Sequence, residues 1–172
     1  MNGKILVTYA SKTGSTAGVA EAIGRSLAER GVQVDVRPMA EVTDLSPYRA
    51  VIAGSAIRGG KWLPEAMQFM QEQRAELSAR PFAAFLVCMT LSMKGADQYR
   101  QGVAEWLQPV RSLVRPVSEG LFAGGLDFSR LPLNPRTLLM RAPVLLRVWR
   151  EGDHRNWQAI RSWAESLIPQ FG

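Results

Sequence analysis

The stretch "TYASKTGSTAG", Thr8–Gly18, follows the short apolar run "ILV" at Ile5–Val7, and its reading decides the fold. A turn needs one or two small or hydroxylated residues, whereas this one supplies Thr8, Ser11, Thr13, Ser15 and Thr16 together with Gly14 and Gly18. No acidic side chain occurs before Glu21. If a helix begins at Ser15 or Thr16, its free N–H groups and positive dipole end face the loop and form a seat for an anion. The hydroxyls of Ser11, Thr13, Ser15 and Thr16 can donate further hydrogen bonds, and Gly14 lets the backbone curl close to a phosphate. The same residues would also serve as plain helix caps, so composition leaves two readings open. Other phosphate loops do not fit: GxxxxGK[ST] is absent, and GxGxxG does not follow the first strand.

Outward from this loop, the chain alternates strand and helix. Val19, Ile23 and Leu27 recur every four residues opposite Glu21, Arg25 and Glu29, with Gly31 placed to stop the helix. "VQVDVRP" alternates and ends at Pro38, and "AVIAGSA" is a continuous apolar run suited to a strand covered on both faces. A second helix is expected from Pro64, with Leu63, Ala66, Met67, Met70 and Leu77 on one face. "PFAAFLVCM" reads as a fourth strand. Tyr99, Val103, Trp106, Leu107 and Val110 mark a further helix whose end Pro109 distorts. A fifth strand falls within 114–126, and a last helix spans Asn156 to Ile168, with Trp157, Ile160, Ala164 and Leu167 inward. Strands separated by helices imply right-handed crossovers and an α/β fold with a parallel sheet between helical layers. Ligands of such sheets sit beyond the carboxyl ends of the strands, where the first loop lies.

With 172 residues and 47% hydrophobic composition, one domain can enclose a core without disulfides. Cys88, the single cysteine, lies in "FAAFLVCM" and reads as a buried thiol in a reducing compartment, with nothing nearby to make it a nucleophile. The apolar segment at the N-terminus is too short for a secretory signal, and no run approaches the roughly 18 apolar residues of a membrane span, so a cytoplasmic protein is expected. The formal charge of +6 and a pI near 10.1 favour anionic partners. The cations are dispersed and no nucleic-acid reader motif is present, so no nucleic acid is expected. His154 is the sole histidine, and no carboxylate or metal-ligand constellation appears.

"TYASKTGSTAGVAEAIG" resembles the flavodoxin phosphate loop, a strand followed by [ST]-x-T-G-x-T and a helix, with Ser11, Thr13, Gly14 and Thr16 at the matching positions and Ser15 beside them. The resemblance implies FMN as cofactor, its phosphate wrapped by this loop. It also implies a flavodoxin-like three-layer fold, a five-stranded parallel sheet in the order 2-1-3-4-5, with a helical insert at about 127–152 after the fifth strand. "AGSAIRGGKWLPEAMQFM", Ala53–Met70, is similar to the menaquinone-dependent protoporphyrinogen IX dehydrogenases within that group, through Gly54, Ser55, Ile57, Arg58 and Gly60. It makes Ser55, Ala56, Ile57, Arg58 and Gly59, and from the fourth strand Thr90, Leu91 and Ser92, the expected neighbours of the flavin ring.

That similarity implies an oxidoreductase that takes electrons from a porphyrinogen through FMN to a quinone, in heme biosynthesis. The flavin performs the redox step, so no acid/base pair is required of the chain. Arg58 and Lys61 are the candidates for stabilising reduced flavin or holding a propionate, and Trp62 reads either as an aromatic wall or as helix packing. The alternatives are a flavodoxin-type electron carrier between redox proteins and a flavin-free binding module. Carriers of this kind are typically acidic, and the basic charge here counts against that reading. Within "LPLNPRTLLMRAPVLLRVWR", 131–150, Arg136, Arg141, Arg147 and Arg150 interleave with Leu, Val and Trp149. This segment reads as a peripheral contact with an anionic membrane on its cytoplasmic face, as a cover packed on the domain, or as a self-association surface.

Overall fold

The computed structural model describes residues 3–126 and 152–172. Its central sheet carries five parallel strands: β1 (Lys4–Ala10), β2 (Val34–Pro38), β3 (Tyr48–Arg58), β5 (Phe82–Cys88) and β6 (Ser118–Ala123). They lie side by side as β2-β1-β3-β5-β6. Counted without the two-residue β4 (Lys61–Trp62), which pairs antiparallel with the end of β3, this is the expected order 2-1-3-4-5. A two-stranded ribbon, β7 (Gly125–Leu126) with β8 (Gly152–Asp153), follows β6 and brackets the expected insert. The readings made of 131–150 fall outside the described residues.

The strands alternate sides because their side chains do. On one face Leu6, Val51, Ala53, Ala84 and Leu86 pack beneath α2 (Pro64–Glu72), α3 (Arg74–Ser78), α4 (Arg100–Glu105) and α5 (Gln108–Leu113), through Ala66, Met70, Leu77, Val103 and Val110. On the other, Ile5, Val7, Ile52, Ala83 and Phe85 pack beneath α1 (Ser15–Glu29) and α6 (Trp157–Leu167), through Val19, Ile23, Leu27, Ile160 and Ala164. Each large aliphatic or aromatic side chain so enclosed contributes about 1.5–3 kcal/mol. Two glycines set the spacing. A Cβ on Gly54 would stand 2.1 Å from the Phe85 ring on the neighbouring strand, and one on Gly24 would stand 2.4 Å from Val36. Phe85, Phe122 and Trp163 form a ring cluster there, with centroids 5.5–6.3 Å apart and tilted to edge-on faces.

Helix boundaries follow local chemistry where it is strong. α1 ends before Gly31, whose positive φ of 82° suits a residue without Cβ. Pro64 opens α2 and the Asn156 side chain caps α6 at Ala159 N–H. Two helices expected as continuous are divided. One interruption, at Gln73, separates α2 from α3, yet Leu77 stays buried. The other, at Trp106–Leu107, precedes Pro109, which stands in the first turn of a new helix rather than distorting the end of an old one. There its missing N–H removes no helical bond. Two aromatic residues expected inside lie outside. Tyr99 is 38% exposed because it closes a short 3-10 turn before α4, and Trp157 is 44% exposed because it opens α6 beside solvent. Trp163 fills the inner position instead, its Nε1 donating to Ser118 Oγ at 3.0 Å. Among the described residues no helix is long and apolar enough to cross a membrane.

Candidate functional site

The loop after β1 delivers an uncapped helix start. Gly14 occupies the N-cap in the left-handed region, with φ of 85°, and no side chain caps α1. No acidic residue stands in the first turn. The first helical bond runs from Gly18 N–H to Gly14 C=O, so the N–H groups of Ser15, Thr16 and Ala17 precede the ladder and face outward. Plain capping by the hydroxyls, one of the two readings of the sequence, therefore does not describe this loop. Ser11 Oγ accepts from Gly14 N–H at 3.1 Å, which folds the loop back on itself, and Ser15 Oγ accepts from Gly125 N–H at 2.8 Å. Both hydroxyls keep their own protons to donate.

A cavity opens from this helix start towards the ends of β3 and β5. Among the described residues it is lined by Lys12, Thr13, Ser15 and Thr16 from the first loop, Ala56, Ile57 and Arg58 from the end of β3, and Leu63. Val87, Cys88 and Met89 line it from β5, and Gly124 and Gly125 from the segment after β6. Its lining divides into polar groups, from Lys12, Thr13, Ser15, Thr16 and Arg58, and apolar walls from Ile57, Leu63, Val87 and Met89. Binding sites for flat aromatic ligands have that division. A wider groove on the opposite side of the loop, between Tyr9, Met39 and Phe69, is edged by Glu65 and Glu72 and does not touch the start of α1. Those carboxylates would repel an anion.

The expected site residues separate into those the cavity brings together and those it does not. Thr13, Ser15, Thr16, Ala56, Ile57 and Arg58 line it. Ser11 and Gly14 shape the loop behind it. Gly59, with Gly60, forms the tip of the β3–β4 hairpin, at φ of 58° and 72°. Positive φ at both central residues is what a two-residue hairpin turn requires. Trp106 Nε1 lies 3.2 Å from where a Cβ on Gly60 would be, bracing that tip against the end of α4. Arg58 and Lys61 stand opposite one another across the hairpin, both exposed. Trp62 is buried in the helix-covered core with its Nε1 unpartnered among the described residues, so of its two readings the packing one describes it.

Three polar expectations take another role. Ser55 is fully buried, its Oγ accepting from Leu63 N–H at 3.0 Å and donating to Ala56 C=O at 2.8 Å, so its proton is committed inside the fold. Ser92 Oγ donates to Gly124 C=O at 3.1 Å. Thr90 and Leu91 direct their N–H groups at the Cys88 sulfur. Val87, Cys88 and Met89 line the cavity in place of the Thr90–Ser92 turn. Sequence reading passed over these three because an apolar strand end carries no polar signal.

Charges around the cavity are partly paired. Lys12 Nζ lies 3.3 Å from Glu65 Oε1. The Glu65 carboxyl is held below the usual carboxylate range, first by its own N–H at the start of α2, then by Lys12 and Arg58. Burial pushes the Cys88 thiol up, while the Leu91 and Thr90 N–H groups and Arg100 act weakly the other way, so it remains a neutral thiol at neutral pH.

The comparisons with known proteins agree with this architecture. A protein 27% identical over 174 residues, covering 95% of this chain and 74% of its own, is the protoporphyrinogen IX dehydrogenase [quinone] of Leishmania major. Among solved structures, a short-chain flavodoxin associated with a bacterial microcompartment matches with a TM-score of 0.62 at 13% identity, covering 99% of this chain and 100% of that one. Oxidised flavodoxin 2 from Bacillus cereus matches at 0.59 and 19% identity, covering 98% and 99%. The family model described as "Flavodoxin domain" matches residues 6–143, well over half the sequence, and with this topology the chain belongs to the flavodoxin-domain family.

Proposed function

We propose that this chain binds FMN with its phosphate at the start of α1 and acts as an oxidoreductase between a porphyrinogen and a quinone. The observation that carries the reading is the first turn of α1, uncapped and free of carboxylates, opening into a cavity with apolar walls. A dianionic phosphate ester suits that end, since the N–H groups of Ser15, Thr16 and Ala17 and the hydroxyls of Thr13 and Ser15 supply donors, and the first turn carries no acidic side chain. Ile57, Leu63, Val87 and Met89 would enclose the ring system and exclude water. Bound FMN would supply the two-electron redox chemistry, which no constellation among the described side chains provides. Arg58 and Lys61, exposed on the hairpin beside the cavity, would attract the carboxylates of an acidic tetrapyrrole and favour negative charge at the cavity mouth.

The similarity to the Leishmania major dehydrogenase supports the choice of substrates. The test supplies protoporphyrinogen IX and a soluble quinone anaerobically to the FMN-loaded protein and follows porphyrin fluorescence. Fluorescence should rise above the quinone-only control. No gain, with FMN bound, would leave an electron carrier between redox proteins as the function. Failure to take up FMN at all would leave a flavin-free binding module.

A further inference from the structure

Ser15 is tied at two different atoms, once to the β7–β8 ribbon and once to the segment that follows it. Its Oγ accepts from Gly125 N–H at 2.8 Å, and its carbonyl oxygen lies 3.4 Å from Arg155 Nη1. Gly125 is the ladder partner of Asp153. Asp153 in turn grips Arg155 with both carboxylate oxygens, Nε to Oδ1 at 2.7 Å and Nη2 to Oδ2 at 2.9 Å, and accepts the Arg155 N–H at 3.0 Å. The four residues close a ring: Ser15, Gly125, Asp153, Arg155 and back to Ser15. Beneath the guanidinium lies the Trp157 ring, 4.5 Å away at its centroid. Gly18 lies beside both, where a Cβ would stand 2.4 Å from Arg155 Nη1 and 3.9 Å from the Trp157 ring. A side chain at position 18 would make the guanidinium shift from its place at the first turn of α1.

We propose that Arg155, oriented by Asp153, is a positioning residue for the phosphate-binding turn: it holds Ser15 so that the hydroxyl offers its proton to a phosphate. The inference rests on the reading of that turn as an FMN phosphate site. Fixed between an indole face, a bidentate carboxylate and a carbonyl, the guanidinium has little freedom, which is the role a planar fork fills and an ammonium does not. Its charge is matched by Asp153, so it acts through geometry and not as a free cation facing the phosphate. By accepting from Gly125, the Ser15 hydroxyl is left with its own proton and is polarised to give it.

Flavin fluorescence quenching measures dissociation constants for FMN and for riboflavin, which lacks the phosphate. Arg155→Ala should weaken FMN about tenfold, the worth of a hydrogen bond to a charged group, while riboflavin affinity moves by less than about twofold. Gly18→Ala, which displaces the guanidinium without removing it, should reproduce the same selective loss. The double variant should bind FMN no worse than Arg155→Ala alone, because both changes break one contact. Arg155→Lys should restore less than half of the loss. Equal losses for FMN and riboflavin, additive losses in the double variant, or full rescue by lysine would overturn the inference. Should Arg155→Ala fail to fold, Gly18→Ala carries the test by itself, since it keeps both Arg155 and Asp153. An unmutated protein that binds FMN no better than riboflavin sinks the phosphate reading together with this one, whereas an FMN preference intact in every variant sinks only the role of Arg155.

Discussion

The first loop and the ends of β3 and β5 are built from the same residue types and use them in opposite ways. After β1, Ser11 and Ser15 accept hydrogen bonds from Gly14 and Gly125 and keep their protons. At the end of β3, Ser55 both accepts and donates inside the fold, and after β5 Ser92 donates to Gly124 C=O. A hydroxyl that only accepts is available to a ligand, whereas one that donates inward is part of the scaffold. Residue type does not distinguish the two.

The sharpest way to test that contrast is to remove hydroxyls on each side. Thr13→Val with Thr16→Val removes donors at similar volume from the cavity wall, and FMN affinity should fall by about a hundredfold, with the thermal midpoint nearly unchanged. Flavin fluorescence titration and a melting curve check both halves. Ser55→Ala should do the reverse. It strands Leu63 N–H in the interior and should cost about 1–3 kcal/mol in denaturant unfolding, while FMN affinity stays within about twofold. If Ser55→Ala lost FMN at unchanged stability, the division between scaffold and ligand hydroxyls would be broken.

A smaller effect comes from pH. The Asp153 carboxyl is held below the usual range, chiefly by its hydrogen bonds from Arg155. A lowered carboxylate contributes stability that is present above its unfolded value of about 3.9 and is lost as pH falls through the folded one. Asp153→Asn should therefore be less stable than the unmutated protein at neutral pH, and the two unfolding midpoints should converge below about pH 4. With Asp153 44% exposed, solvent screening keeps the neutral-pH difference under about 1 kcal/mol.

The sheet and the uncapped start of α1 were legible because local chemistry specifies them. Apolar runs such as Val51–Ala53 and Phe82–Val87 mark strands, Pro64 and Gly31 mark helix ends, and the bare hydroxyl loop marks the ligand end. What escaped depends on contacts that residue type and periodicity do not announce. Trp157 and Trp163 fit helical periodicity about equally, and only the position of Phe85 and Phe122 draws Trp163 inward. The hairpin of Arg58 and Lys61 needed the two positive-φ glycines to be seen as one turn. Ser55 looked like a flavin neighbour because nothing in its surroundings announces Leu63 N–H eight residues on. Arg155 drew no notice at all, since its partners lie on three separate elements.

The bare backbone of Gly54 under the Phe85 ring leaves a mark on how this sequence can drift. Adjacent strands have here divided one volume unequally, all of it to the aromatic member, so neither position can change by itself. A methyl at 54 demands a smaller neighbour at 85, and a smaller neighbour opens a hole beneath Phe122 and Trp163. Descendants of this chain should therefore alter these sites as a linked set, or keep both.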